Sequence, residues 1–566
     1  MNIEIALTPI KRFWKFLQEE KKEVYSIYFY ALLNGLVSLS LPLGIQAIFN
    51  FILGGRVSTS WLLLVFVVAA GISFGGYLQI NQLYLTEKMQ QRIFTKTGFG
   101  FAFRLPMLKL DELHDKHTPE LVNRFFDVMN LQKGMAKILT DFTTATIQVF
   151  FGLLLLAFYH QFFIIFGLIL IIILFLIFYY TSPKGMETSL NESKAKYGVA
   201  YWLEEIGRTM ATFKLAGNSN LPFIKVDKLL KSYVEYRNQH FGVLVFQYKI
   251  LIVFKVLIVS SLLVAGSLLL INNEISIGQF VAAEIIIILV VNSVEKIILS
   301  LETVYDTLTA FEKIGQIMDL PMEMQAGTEK SLSPEETGLK FDIQNLRFRA
   351  RSSEEEILND VSLSLQPGEK VVLTGESGSG KSTLMNLMAG LYSEYRGKII
   401  VNGLPIDTMD LGKFRSFVGD SLTHESIFSG TIRENIVLGR DIEENFLREI
   451  VDLVGLNTFV YELPADLNTE LMPEGKGLSK AVVSSLIMAR CLVGKPKVLF
   501  LEALFSDFSP VVKERVKQYI SAGLWTVMMI SDDNEIIKLF PRVIELGKGK
   551  VVFDGSSQDY LRLKNS

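Results

Sequence analysis

The chain has 566 residues, half of them apolar, with a net charge of −3 and a positive mean hydropathy. That length excludes one ordinary domain, the hydropathy argues against a purely soluble protein, and the charge offers nothing to nucleic acid as a principal partner. A single cysteine, Cys491, excludes an intrachain disulfide framework. It follows "SLIMAR" in a helical pattern and reads as a buried filler.

The N-terminal stretch "MNIEIALTPIKRFWKFLQEEKKE" is charged and amphipathic. It lacks a basic start, an apolar core and a small-residue cleavage site, so no signal peptide is expected. Six apolar stretches follow, near 26–49, 61–84, 138–158, 161–181, 244–272 and 276–299. Each is about the 20 helical residues that cross a bilayer. Little more than "HQ" separates the third and fourth, and "NNEI" the fifth and sixth, so these are tight hairpins. The connections 85–137 and 182–243 are rich in Lys and Arg. The short loops carry almost none, Arg56 excepted. Positive residues stay inside, which places both termini and both long connections in the cytoplasm. Helical periodicity in "LHDKHTPELVNRFFDVMNLQKGM" predicts helices that continue below the membrane.

Lys255, Glu284 and Glu295 lie within the last two apolar stretches, where an ionisable group is a functional candidate. Counted from the turn at 273–275, Lys255 and Glu295 share one depth. They either pair at the inner boundary or serve a function. Glu284 lies higher, with no cation on the fifth stretch at its level. It is expected to face a central cavity and the substrate path, or to pair with another helix. Lys249 falls in the cytoplasmic extension.

Composition changes at 321–338, "PMEMQAGTEKSLSPEETG", a polar linker with two prolines. From 339 to 566, short β-rich runs alternate with helical patterns, which predicts a largely parallel α/β sheet. The run "GESGSGKS" matches G-x-x-x-x-G-K-[ST] after a strand-like "EKVVLT" and before a helical "TLMNLMAGLY". Gly375, Gly378 and Gly380 let backbone N–H groups converge on phosphate oxygens. Glu376, Ser377, Ser379 and Thr383 complete the loop, and the helix N-terminus adds a favourable dipole. Lys381 is expected on the β- and γ-phosphates of ATP, and the Ser382 hydroxyl on Mg²⁺.

A six-helix membrane domain (1–320) followed by a linker and such a nucleotide-binding domain (339–566) resembles one half of an ABC exporter. The resemblance covers nearly the whole chain. "GDSLTHESIFSGTIRENIVLG" and "GLSKAVVSSLIMARCLVGKPKVLFLEALFSDF" resemble the family's stretches after the phosphate loop. "LPLGIQAIFNFIL" and "EEIGRTMATFKLAG" are similar to exporters of type I secretion. That subfamily often carries an N-terminal peptidase domain, which is expected to be missing here. The resemblance implies contacts near Thr118–Leu121 and Gly207–Gly217 that transmit closure of the nucleotide domains.

The match breaks where the family does its chemistry. Its LSGGQ signature is "LSKAV" here: Leu478, Ser479, Lys480, Ala481 and Val482. Ser479 retains a phosphate donor, but Lys480 and Ala481 place side chains where the family has glycine. Glu502 takes the place of the metal-associated Asp, and Ala503 that of the catalytic Glu. Asp532 replaces the switch His, Thr423 the Mg²⁺-sensing Gln, and Ala350 the adenine-stacking aromatic, unless Phe348 substitutes. An active enzyme would need Glu474 or Asp507 to serve instead. The resemblance therefore implies an exporter half in a lipid bilayer, in a bacterial inner membrane, with impaired hydrolysis. It would move a peptide or protein substrate together with a second half-transporter. A competent, different half is preferred and a homodimer remains open. The alternative is a membrane scaffold or sensor that binds nucleotide without transport.

Overall fold

The computed structural model describes residues 8–53, 59–113, 118–323, 337–351, 355–422, 426–502, 505 and 507–565. The chain divides into two units: Met1–Pro106 with His117–Leu320, and Met107–Lys116 with Pro321–Ser566. Arg56, Thr423, Ala503 and most of the 321–338 linker lie outside the described residues.

The first unit is all α. Among the described residues, six helical segments are long and apolar enough to cross a membrane: Lys21–Leu53, Thr59–Met107, Thr118–Ala157, Gln161–Arg208, Leu221–Ile271 and Ile277–Met318. A short amphipathic helix precedes them, α1 (Pro9–Glu19), capped by Thr8. The first segment is α2 (Lys21–Ser38) and α3 (Ser40–Leu53), interrupted at Leu39. Pro42 accounts for the break, because it has no N–H and its ring presses on the carbonyl four residues back, that of Ser38. Next come α4 (Thr59–Arg104), α5 (Thr118–Asn123), α6 (Asp127–Lys137), a π-helical turn at Ile138–Phe142, and α7 (Thr143–Ala157). The remaining helices are α8 (Gln161–Arg208), α9 (Met210–Leu215), α10 (Leu221–Ile271) and α11 (Ile277–Met318). α10 has 51 residues. At 1.5 Å per residue that is roughly 75 Å, far beyond a hydrocarbon core of roughly 30 Å. The apolar stretches are thus sections of longer helices, and the charged periodic connections are their continuations.

A polar seam runs between α8, α10 and α11. Gln247 Nε2 donates to Thr181 Oγ1 at 2.7 Å and to the Tyr305 hydroxyl at 2.9 Å. His240 Nδ1 lies 2.9 Å from Thr188 Oγ1. Lys255 Nζ donates to Glu295 Oε2 at 3.0 Å, the pairing of the two equal-depth charges. Glu284 is half-buried on α11 and, among the described residues, has no hydrogen-bond or ion-pair partner.

The second unit is α/β. Its strands are β1 (Phe341–Phe348), β2 (Leu358–Leu365), β3 (Lys370–Thr374), β4 (Arg396–Val401), β5 (Leu404–Pro405), β6 (Val418–Ser421), β7 (Gly430–Thr431), β8 (Glu470–Leu471), β9 (Val498–Glu502), β10 (Thr526–Ile530), β11 (Arg542–Gly547) and β12 (Lys550–Ser556). A sheet ordered β12-β11-β3-β10-β9-β6 is parallel except for β12. Val371, Val372 and Leu373 of β3 are fully buried, as a strand covered on both faces requires. A second, antiparallel sheet is ordered β2-β1-β4-β5. Cys491 is buried, as its surroundings predict.

Residues 107–113 belong with this α/β unit. Leu108 bridges to Met322, and Asp111 Oδ2 accepts from both the N–H and the hydroxyl of Ser393 at 2.8 Å. Thr118–Leu121, expected at a helix tip, opens α5 of the helical unit.

Candidate nucleotide site

The site is built at the C-terminal ends of parallel strands, where open α/β sheets place their ligands. β3 leads into the loop 375–380 and then into α12 (Lys381–Met388). Three glycines hold the left-handed region, with φ of 133° at Gly375, 82° at Gly378 and 98° at Gly380. A Cβ at Gly375 would lie 2.1 Å from the Leu546 carbonyl oxygen, and one at Gly380 2.7 Å from Leu358 Cδ2. Sterics thus demand glycine at both positions, independent of any ligand. At Gly378 nothing crowds the backbone, and there the positive φ alone requires it.

Glu376, Ser377 and Gly378 form the exposed crest, while Ser379 and Gly380 are buried and Thr383 is half-buried. Lys381 Nζ donates to the carbonyls of Gly375 at 2.6 Å and Glu376 at 2.8 Å. An ammonium has three donors, so one remains for an incoming oxyanion. Ser379 Oγ is buried without a partner. These features fit a nucleotide's phosphates.

The neighbouring strands supply the acids. β10 pairs with β3 on one side and β9 on the other, with Ile530 opposite both Leu373 and Glu502. The register brings Ser382 Oγ to Glu502 Oε1 at 2.8 Å. The Glu502 N–H donates to the buried Ser421 Oγ at 3.3 Å. A hydroxyl beside a carboxylate is a donor set suited to Mg²⁺. Asp532, just beyond β10, accepts from Thr374 Oγ1 at 2.5 Å. That ties Asp532 to Thr374, the last residue of β3 before the loop. Asp507 accepts from Ser484 Oγ at 3.0 Å, so its carboxylate is already engaged. Glu474 is exposed on a left-handed turn.

Ser479 caps the helix Lys480–Val493, accepting from the Val482 N–H at 3.3 Å. Lys480 and Ala481 are exposed in its first turn, and Leu478 packs against the larger apolar core. Among the described residues, no hydrogen bond or ion pair joins 478–482 to 375–383. Phe348 packs into the core rather than standing free beside the loop. It is buried with Ala350 in the core of the antiparallel sheet, its ring 5.2 Å from that of Tyr392. Strand alternation turns positions 346, 348 and 350 inward together. Sequence reasoning missed Thr374 and Ser421, because neither lies in a spaced motif. Only strand order brings them to Asp532 and Glu502.

A unit of helices long and apolar enough to cross a membrane and a phosphate-loop α/β unit in one polypeptide have the architecture of an ABC exporter half. The comparisons agree. The family described as ABC transporter transmembrane region matches residues 25–294, and that described as ABC transporter matches 358–503. The chain belongs to the ABC transporters, with the fusion of a half-transporter. The Toxin RTX-I translocation ATP-binding protein of Actinobacillus pleuropneumoniae is 30% identical over 300 residues, 51% of this chain and 41% of that protein. The leukotoxin translocation ATP-binding protein LktB of Mannheimia haemolytica is 29% identical over 302 residues, 52% and 42% respectively. In each case the chain matches about two fifths of its relative's length. A bacterial Atm1-family ABC exporter solved with ATP bound superposes with a TM-score of 0.84 over 96% of each chain. At 17% identity that likeness is one of fold.

Proposed function

We propose that this chain is an exporter half that binds Mg-ATP on Gly375–Thr383 and hydrolyses it slowly. The observation that carries the reading is the contrast within one site. The phosphate cradle, Lys381, Ser382 and Glu502 are in binding order, whereas the positions that would polarise water and donate to the γ-phosphate hold Ala503 and Asp532. Ser382 and Glu502 would hold Mg²⁺, which neutralises phosphate charge. The transmembrane domain is 1–320, the linker 321–338 and the nucleotide domain 339–566. Both termini face the cytoplasm of a bacterial inner membrane.

A second half completes the transporter. Each site would combine the loop of one chain with residues 478–482 of the other, which is consistent with their lack of mutual bonds here. Two copies of this chain would give two sites without the catalytic Glu and switch His, so a different, competent half is the preferred partner. The relatives' names describe toxin translocation, which supports a peptide or protein substrate. The altered positions also favour a second reading, a nucleotide-binding membrane scaffold or sensor.

Steady-state phosphate release from the purified chain in lipid tests the proposal. A lost acid–base group typically costs about 10²- to 10⁴-fold, against an ordinary turnover of roughly 10 per second. Release below about 0.1 per second is expected for the chain alone. Release near 10 per second, abolished by Lys381→Ala, would overturn it.

A further inference from the structure

A second charged site lies on the outer face of the antiparallel sheet. Inward residues of β1, Leu346 and Phe348, are buried, while Arg347 and Arg349 point outward and are exposed. Arg347 stands directly opposite Arg396 in the β1–β4 register. Like charges facing across an antiparallel pair are destabilising, so stability alone does not account for this placement. These three arginines, with Arg351, Glu356 and Glu394, line a cavity of about 650 Å³ that contains no residue of 375–383.

The counter-charges do not neutralise it. Arg351 already bonds Glu394 at 2.5 and 2.9 Å and Glu112 at 2.7 and 2.9 Å. That removes Arg351 and Glu394 from the balance. Arg347, Arg349 and Arg396 have no hydrogen-bond or ion-pair partner among the described residues. Glu356 lies on the same lining and bonds to none of them. Among the described lining residues, three guanidiniums without a side-chain partner therefore accompany one unengaged carboxylate, Glu356. Burial and the nearby Asp407 push the Tyr395 phenol, also on the lining, up to about 12. It stays protonated and offers one more donor.

We infer that this cavity binds a small polyphosphate, independent of the nucleotide on the phosphate loop. Guanidiniums present planar forks that match phosphate oxygens bidentately. Adjacent phosphoryl groups supply several negative charges within the reach of three arginines, which a single carboxylate ligand does not. The same chemistry is available from a free polyphosphate or from a phosphorylated lipid headgroup.

Tripolyphosphate titrated calorimetrically into the full-length protein in detergent, at low salt, tests the inference. Saturable binding is expected, within twofold of the same affinity in Lys381→Ala. It should weaken at least tenfold in Arg347→Gln/Arg396→Gln. Without ligand, that double variant should melt at or above the parent's temperature, since it relieves the facing charges. If it fails to fold, Arg349→Gln carries the same comparison. Repeating the titration in nanodiscs separates the sources. Competition by anionic-lipid discs but not zwitterionic ones identifies a headgroup, and equal affinity in both identifies a soluble ligand. No binding at millimolar tripolyphosphate overturns the inference. So does binding that is lost in Lys381→Ala and unchanged in the arginine variants.

Discussion

Lys381 holds two carbonyls of its own loop, at 2.6 and 2.8 Å, and serves both the loop's shape and its proposed charge. Hydrogen bonds to charged groups contribute about 1.5–3 kcal/mol, which corresponds to roughly 10- to 100-fold in affinity. Lys381→Ala is therefore expected to weaken Mg-ATP binding by roughly tenfold or more, read by calorimetry on the full chain. Unchanged affinity would mean the loop does not hold the phosphates. The spacing of Gly375, Gly380, Lys381 and Ser382 made this cradle legible, because its geometry is local in sequence. Thr374 and Asp532 were a different case. They are 158 residues apart, and only the pairing of β3 with β10 joins them. Phe348, named as a substitute for the stacking aromatic, is a related case: its burial follows from packing against Tyr392, a partner 44 residues away in the chain.

The helices show what tight packing asks of a sequence. Gly185 on α8 faces Tyr305 on α11, and a Cβ there would lie 2.5 Å from the ring's Cζ. Alanine favours a helix over glycine by about 1 kcal/mol, whereas overpacking costs about 1–3 kcal/mol. Gly185→Ala should then lower the melting temperature in detergent by a few degrees. A rise would show that Tyr305 yields freely. Glu284 poses the opposite case, a half-buried acid without a partner. If it faces the substrate path, Glu284→Gln should alter transport per folded molecule and leave assembly and melting unchanged. A variant that is merely unstable, with transport per molecule intact, would make the residue structural. Apolar length made the membrane helices visible, and the intervals "HQ" and "NNEI" their hairpins. The π-helical turn at Ile138–Phe142 and the membership of Met107–Lys116 in the α/β unit were not visible. The second depends on contacts such as Asp111 with Ser393, formed between residues far apart in the chain.

At the scale of the whole molecule, the question is whether the slow hydrolysis proposed here resides in the altered positions or elsewhere. The four substitutions act on different parts of one event. In the proposed reading, Ala503 would leave the attacking water unpolarised, Asp532 would stand where a donor is needed, and Lys480 with Ala481 would occupy the approach of the opposing chain. Groups that work as a unit are not additive, since losing one costs nearly as much as losing all. It follows that Ala503→Glu by itself should recover little. The combined replacement Ala503→Glu, Asp532→His, Lys480→Gly and Ala481→Gly should raise phosphate release from the homodimer in lipid by about 10²-fold or more, and Lys381→Ala should abolish the gain. Lys480 and Ala481 are exposed in the first turn of their helix, so the glycines cost some helix stability at roughly 1 kcal/mol each. A melting curve therefore accompanies the assay, to separate loss of fold from absence of turnover. If the folded combined variant remains inert while still binding Mg-ATP, the block lies outside these four positions. The nucleotide-binding scaffold or sensor would then be the better reading.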